Sequence, residues 1–280
     1  MTAMNSGRVF TAACIQLASD IEPEANVAAA AEAFRRARGG GADFVLTPET
    51  TDMMEMKRRD AFAKAKGEGE HPGLAQLSGL AGELGCWLLI GSLVIRLSDE
   101  RLANRSFLID PAGRIAARYD KIHMFDVEVP DGQSYRESKA YRAGETAVLA
   151  DLPWGRLGLS VCYDLRFPQL YRTLAQAGAD FLTVPSAFTR LTGRAHWHVL
   201  LRARAIETGC FVLAPAQCGE TSQGRQTYGH SLIVAPWGEV LAEAGEAPGV
   251  IFAEIDPARV AEARRMIPAL GHDRPFEAPN

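Results

Sequence analysis

The sequence predicts an α/β protein built as a four-layer α-β-β-α sandwich with a pseudo-twofold internal repeat. Three observations carry that expectation. Gly41-Ala42-Asp43-Phe44-Val45-Leu46-Thr47-Pro48 returns as Gly178-Ala179-Asp180-Phe181-Leu182-Thr183-Val184-Pro185. Gly85-Cys86-Trp87-Leu88-Leu89 is answered by Gly209-Cys210-Phe211-Val212-Leu213, and the strand and Pro-x-Gly turn at 106–113 by those at 231–238, in the same order. The strands are short unbroken Val, Leu, Ile and Phe runs, as expected of strands buried on both faces. A sheet covered by helices on one side needs an apolar partner on the other, and a second copy of the unit supplies it. A doubly wound single sheet would leave the repeated hairpins unexplained.

Each half reads as strand, helix, apolar strand, helix, strand, hairpin. Ala12-Ala13-Cys14-Ile15-Gln16 opens the first half, and Leu159-Ser160-Val161-Cys162-Tyr163 is expected in the same slot of the second. Helical periodicity covers 24–38 and 74–84, then 168–177 and 194–208. Each Pro-x-Gly turn sends a strand back antiparallel. The chain reads as one 280-residue domain with residues 1–8 flexible and 260–280 as a tail.

A hydrophobic content of 47% and a charged content of 23% suit a soluble chain with a large core. The formal net charge of -4 gives no basic field for tracking phosphates, which argues against nucleic acid as a partner. Lys57-Arg58-Arg59, Arg202 and Arg204 read as solvated helix faces. The five cysteines show no paired spacing, the pattern of a reducing compartment. No apolar run approaches the ~20 residues of a membrane helix, so a cytoplasmic address is expected.

Cys162 closes an apolar run and is followed at once by Tyr163-Asp164-Leu165-Arg166-Phe167-Pro168, a strand-to-helix elbow. There a thiol is either a rigidly held nucleophile or a buried structural cysteine. Glu49 stands directly after the first repeated strand, where the second copy has Ser186. It reads as a desolvated general base with a raised pKa or as a surface Glu capping the next helix. Lys121 follows the strand returning from the first Pro-x-Gly turn, either as a fixed cation for an oxyanion or as a snorkelling edge residue. Glu137 adds a carboxylate in a long loop.

Rival thiol chemistries fit less well. A phosphatase loop would need an arginine six residues after the cysteine, whereas Arg166 comes four after. His196 and His198, at i and i+2 on a helix, point apart, which disfavours a thiol–imidazole pair or a His-x-His metal site with Cys210; His230 is the remaining candidate imidazole. Cys14, Cys86, Cys210 and Cys218 read as core thiols.

Pro48-Glu49, Asp120-Lys121-Ile122-His123, Glu137 and Cys162-Tyr163-Asp164-Leu165-Arg166-Phe167-Pro168, in that order over nearly the whole chain, resemble the nitrilase or carbon–nitrogen hydrolase superfamily. The resemblance implies the same sandwich, reached independently from the repeat. It implies Cys162 as nucleophile, Glu49 as general base, Lys121 and the Tyr163 backbone N–H around the oxyanion, and Glu137 as the superfamily's second glutamate. A thioester intermediate, no metal and no organic cofactor go with it. The segments 185–198, 200–207, 214–219 and 225–231, with the loop 127–138 that includes Val129-Pro130, most resemble the deaminated-glutathione amidase branch. A small carboxylated amide, first deaminated glutathione, is the implied substrate; α-ketoglutaramate-type ω-amides and N-carbamoyl amino acids are the alternatives. Arg166 is then a carboxylate grip or the salt-bridge partner of Asp164 or a neighbouring acid, with Phe188, Thr189 and Arg194 as further substrate-binding candidates. The superfamily assembles as dimers or larger, and the tail, with Arg264-Arg265-Met266-Ile267-Pro268-Ala269-Leu270, is expected at that interface.

Overall fold

The computed structural model describes residues 7–128, 134–277 and 279; residues 1–6 of the expected flexible start and Val129-Pro130 of the long loop lie outside them. The first half runs β1 (Phe10–Gln16), α1 (Pro23–Gly39), β2 (Phe44–Leu46), α2 (Arg58–Lys64), α3 (Pro72–Leu84), β3 (Trp87–Arg96), β4 (Leu102–Ile109) and β5 (Ile115–Asp120). A hairpin, β6 (Asp126–Glu128) and β7 (Ser134–Arg136), leads to β8 (Leu149–Leu152) and β9 (Gly155–Gly158). The second half continues with α4 (Pro168–Gln176), β10 (Phe181–Thr183), α5 (Arg190–Thr208) and β11 (Phe211–Ala214). It closes with β12 (Cys218–Glu220), β13 (Gln226–Tyr228), β14 (Leu232–Val234), β15 (Val240–Glu243), β16 (Gly249–Ile255) and α6 (Ala258–Met266).

Two six-stranded sheets form, ordered β16-β1-β2-β3-β4-β5 and β15-β14-β11-β10-β9-β8. The pattern is the same in both: three parallel strands at the centre, an antiparallel hairpin on one flank and one antiparallel strand on the other. The outer strand of the first sheet is β16, from the far end of the chain. Side-chain alternation separates the layers, as the two-residue period of a strand requires. Phe10, Ala12, Cys14, Phe44, Leu46 and Leu89 face the second sheet. Ala13, Ile15, Val45, Leu88 and Ile90 pack with α1 and α3 instead. The four expected layers are present.

The repeat is visible atom by atom. Gly85 and Gly209 end α3 and α5 in the left-handed region, at φ +57° and +61°, which glycine adopts without steric cost. The thiols of Cys86 and Cys210 then donate to the carbonyls of Ala42 and Ala179, equivalent positions. One expected correspondence shifts by two residues. Phe44 pairs with Ala12, and its counterpart Phe181 pairs with Leu157, so Cys14 corresponds to Leu159 and not to the neighbourhood of Cys162. The cause is the short β9, which ends at Gly158 and leaves the chain free to run on to the elbow.

The expected helices are found with bounds shifted by a few residues, the most at α5, which begins at Arg190; within it Gly193 packs its backbone against Tyr228, where a Cβ would lie 2.3 Å from the ring. α2 and α6 were not expected. Arg204 is not solvated: it is buried, and its guanidinium donates twice to the Leu165 carbonyl, bracing the elbow from α5. Among the described residues, no helix is long and apolar enough to cross a membrane.

Candidate active site

Glu49 is held by a tight strand end. The Thr47 hydroxyl accepts from the Gly91 N–H at 3.0 Å, and the Thr51 hydroxyl donates to the Pro48 carbonyl at 2.7 Å. Gly91 is required by contact: a Cβ there would stand 2.0 Å from the Thr47 carbonyl oxygen and 2.4 Å from that of Pro48. Thr50 follows at φ +49°, a left-handed conformation uncommon for a branched residue. The chain thereby turns the Glu49 carboxylate between the sheets. It is not the surface cap of a helix, for only 3% of Glu49 is exposed.

Cys162 sits at φ +51° on its elbow, and its N–H donates to the Pro185 carbonyl at 2.9 Å. Asp164 fixes this strained turn. One of its oxygens accepts from the Val161 N–H and the Tyr119 hydroxyl, the other from the His123 N–H and meets the His123 ring at 2.7 Å. Arg166 is therefore not the partner of Asp164. It approaches a ring nitrogen of His196 at 3.2 Å and lies over the faces of Tyr163 and Phe188. The Tyr163 N–H falls in the first turn of the 3-10 helix Cys162–Arg166, where no carbonyl of that helix can receive it.

The two halves meet at one carboxylate. Glu49 Oε1 accepts from Lys121 Nζ at 2.8 Å and from Asn104 Nδ2 at 2.9 Å, while Oε2 accepts from the Ala187 N–H at 2.8 Å. The Cys162 thiol is buried beside the same group, close enough to feel its charge. Lys121 Nζ also meets both oxygens of Glu137, at 3.1 and 2.9 Å, and Glu137 accepts from Asn104 and from the Phe125 N–H. Lys121 is 2% exposed, so it does not snorkel.

Burial pushes the Glu49 carboxyl up, but Lys121, the Cys162 thiol and Arg225 together hold it below the usual carboxylate range. The expected raised pKa is thus reversed, because the ammonium charge lies in direct contact with it. Lys121 stands well above its ordinary value: burial alone would lower it, and the Glu137 and Glu49 carboxylates reverse that. The Cys162 thiol is pushed up, first by burial and then by the Glu49 charge. At neutral pH the group is a neutral thiol beside a carboxylate–ammonium pair. Such a thiol becomes a nucleophile when its proton can pass to Glu49 while new negative charge settles near Lys121.

A cavity of about 330 Å³ opens onto these groups, lined also by Met53, Met54, Tyr135, Phe188, Thr189 and Arg225. Phe188 and Thr189 lie where the sequence places them, and Arg166 is in the same wall. Arg194 is exposed on α5 and outside the lining. It points away because Gly193 takes the inward turn of that helix. Asn104, the Ala187 N–H and Arg225 were not foreseen. A lone asparagine inside the apolar strand around Leu102-Ala103 was the available signal for Asn104; a backbone N–H leaves none. Arg58, read as solvated, also lines the cavity. No histidine among the described residues pairs with the Cys162 thiol.

The sequence model described as "Carbon-nitrogen hydrolase" matches residues 11–265. A deaminated glutathione amidase of Synechocystis sp. is 41% identical over 274 residues, covering 94% of this chain and 97% of the relative. The crystal structure of the C. elegans NitFhit protein superposes with a TM-score of 0.89 at 38% identity, covering 97% of this chain and 66% of that longer one. A mutant amidase from Nesterenkonia sp. AN1, solved with the acetamide moiety of fluoroacetamide added covalently at its active-site cysteine, superposes with a TM-score of 0.78 at 27% identity, covering 94% and 95% of the two chains. With the sandwich and the match over 11–265, these likenesses leave one assignment: the chain belongs to the carbon–nitrogen hydrolase family, in the nitrilase superfamily, and is a hydrolase of carbon–nitrogen bonds other than peptide bonds.

Proposed function

We propose that the protein is a cysteine-dependent amidase that hydrolyses deaminated glutathione, with Cys162 as nucleophile, Glu49 as general base and acid, and Lys121 as the oxyanion cation. The observation that carries this reading is the convergence of the buried thiol, carboxylate and ammonium at the mouth of one cavity. As the Cys162 sulfur attacks the amide carbon, its proton passes to Glu49. The carbonyl oxygen takes the negative charge between Lys121 Nζ and the Tyr163 N–H. Collapse breaks the C–N bond, and Glu49 returns the proton to the departing amine. Water, deprotonated by Glu49, then attacks the thioester, and the sulfur leaves with the proton restored.

Glu137 keeps Lys121 protonated and aimed, through the two contacts at 3.1 and 2.9 Å. The elevated thiol pKa fits this order of events. A resting thiolate would face the Glu49 charge, so proton transfer is coupled to attack on a bound carbonyl. The substrate assignment rests on the 41% identity to a deaminated glutathione amidase and on the arginines in the cavity wall. Phe188 and Thr189 would form the pocket wall, and no metal or organic cofactor takes part in this scheme.

The test is mass spectrometry of enzyme quenched during turnover. An acyl adduct on Cys162 with deaminated glutathione is expected; turnover by a C162S or C162A variant would overturn the mechanism. Screening α-ketoglutaramate and N-carbamoyl amino acids in parallel decides between the substrate classes. We further propose cytoplasmic residence and a homodimer or larger assembly through the tail, where Met266 and Ile267 stand exposed. A monomeric mass by light scattering would refute the assembly.

A further inference from the structure

Among the cations of the cavity wall, Arg58, Arg136 and Lys139 are exposed to water, whereas Arg166 and Arg225 are half-buried. Arg58 donates to the Glu100 carbonyl, Arg136 is paired with Glu128, and Lys121 is committed to Glu49 and Glu137. Arg166 and Arg225 differ. Arg166 has the His196 ring nitrogen and two aromatic faces. Arg225 lies over the Tyr135 ring, and of its five N–H donors the described residues engage one, the Nη2 bond to the Ala187 carbonyl at 2.9 Å. Its Nε is buried without a hydrogen-bond partner, a state that costs free energy until an acceptor arrives.

The two arginines reach the cavity from different segments of the chain. Ala187 links Arg225 to the base: its N–H goes to Glu49 and its carbonyl to Arg225. Arg225 is close enough to help hold the Glu49 pKa down. Because Glu49 must protonate the departing amine, the amine half of the substrate lies on the Glu49 side, beside Arg225. Arg166 projects from the 3-10 helix that begins at Cys162, the residue to which the acyl half stays bonded in the proposed mechanism.

We propose that Arg225 binds a carboxylate carried by the amine half of the substrate, so that Arg166 and Arg225 together select amides bearing a carboxylate on each side of the scissile bond. This inference rests on the cysteine-amidase reading above and deepens it. Deaminated glutathione has that form, with a 2-oxo acid carboxylate on the acyl half and a glycine carboxylate on the amine half. An ω-amide that releases ammonia has no group for Arg225.

The test pairs deaminated glutathione with its C-terminal carboxamide, which differs only in the amine-side charge. Wild type should prefer the carboxylate by about 10- to 100-fold in kcat/KM, chiefly through KM. In R225Q that preference should collapse to near one, and R225K, which keeps charge without the planar fork, should retain part of it. Because Arg225 also acts on Glu49, both substrates can slow together; the ratio isolates recognition. Equal use of the two substrates by wild type, or an undiminished ratio in R225Q, would overturn the inference while leaving the amidase reading standing. Failure of wild type to hydrolyse either form, with turnover of other amides, would remove the substrate reading and this inference with it.

Discussion

The ends of β2 and β10 are the same structure used for opposite purposes. Both are three-residue strands followed by a two-residue step ending in proline, Thr47-Pro48 and Val184-Pro185. Past the first comes Glu49, a buried charge. Past the second come Ser186, whose hydroxyl turns back to the Val184 carbonyl, and Ala187, whose N–H binds that charge. One copy supplies the functional group and the other supplies backbone to hold it. A symmetric scaffold becomes a site through difference at one matched position, because two carboxylates there would repel.

The sharpest break of this comparison is between cysteines. C162A should lower kcat by about 10⁴-fold or more with little change in Tm. C14A, in the intersheet core of the first half, should cost roughly 1 kcal/mol of stability in chemical denaturation while activity persists. Next is the matched pair at the strand ends: E49Q should lose about 10³-fold in kcat, whereas S186A stays within a few-fold. Similar losses in both variants would show that the two strand ends do not differ in role.

Gly91 tests the packing behind the first strand end. G91A should destabilise the protein by roughly 2–4 kcal/mol, since the new Cβ meets backbone carbonyls that cannot rotate away. Asn104 donates to Glu49 and Glu137 at once, and N104A should reduce kcat about 10- to 100-fold while sparing KM. An unchanged kcat would limit Asn104 to a structural role.

The smallest effect concerns pH. The folded pKa of Glu49 is depressed, so its contribution to stability is present above the ordinary Glu value, 4.5. It is lost as pH falls through the lower folded value. K121M removes the main opposing charge and leaves burial, which raises the carboxyl. The acid limb of Cys162 alkylation by iodoacetamide should therefore move to higher pH in K121M; an unmoved limb would mean that another group controls the thiol.

The sequence made the layers and the grouping of Glu49, Lys121 and Cys162 readable because each depends on local pattern. The repeats fixed the sheets, and Glu49, Lys121 and Cys162 each follow a strand end. What it concealed was long-range. Glu49 looked like a carboxyl raised by burial because an ammonium 72 positions away in the chain leaves no mark beside it. Arg204 looked solvated because its acceptor is a carbonyl 39 residues distant. Arg194 looked available because Gly193 gives no hint of which way the helix turns. The slip of two residues that misaligned Cys14 arose where β9 is shorter than β1, a difference composition does not record.

The pairing of β16 with β1 joins Phe10 to Ile255. During synthesis, residues 10–120 can emerge and collapse while the outer edge of β1 still lacks its neighbour, which is made almost at the end. Until then the nascent first sheet exposes an open edge able to pair with any extended chain. The first half is thus bound to wait for the last strand, and truncation before residue 249 should yield aggregation instead of a folded half-molecule.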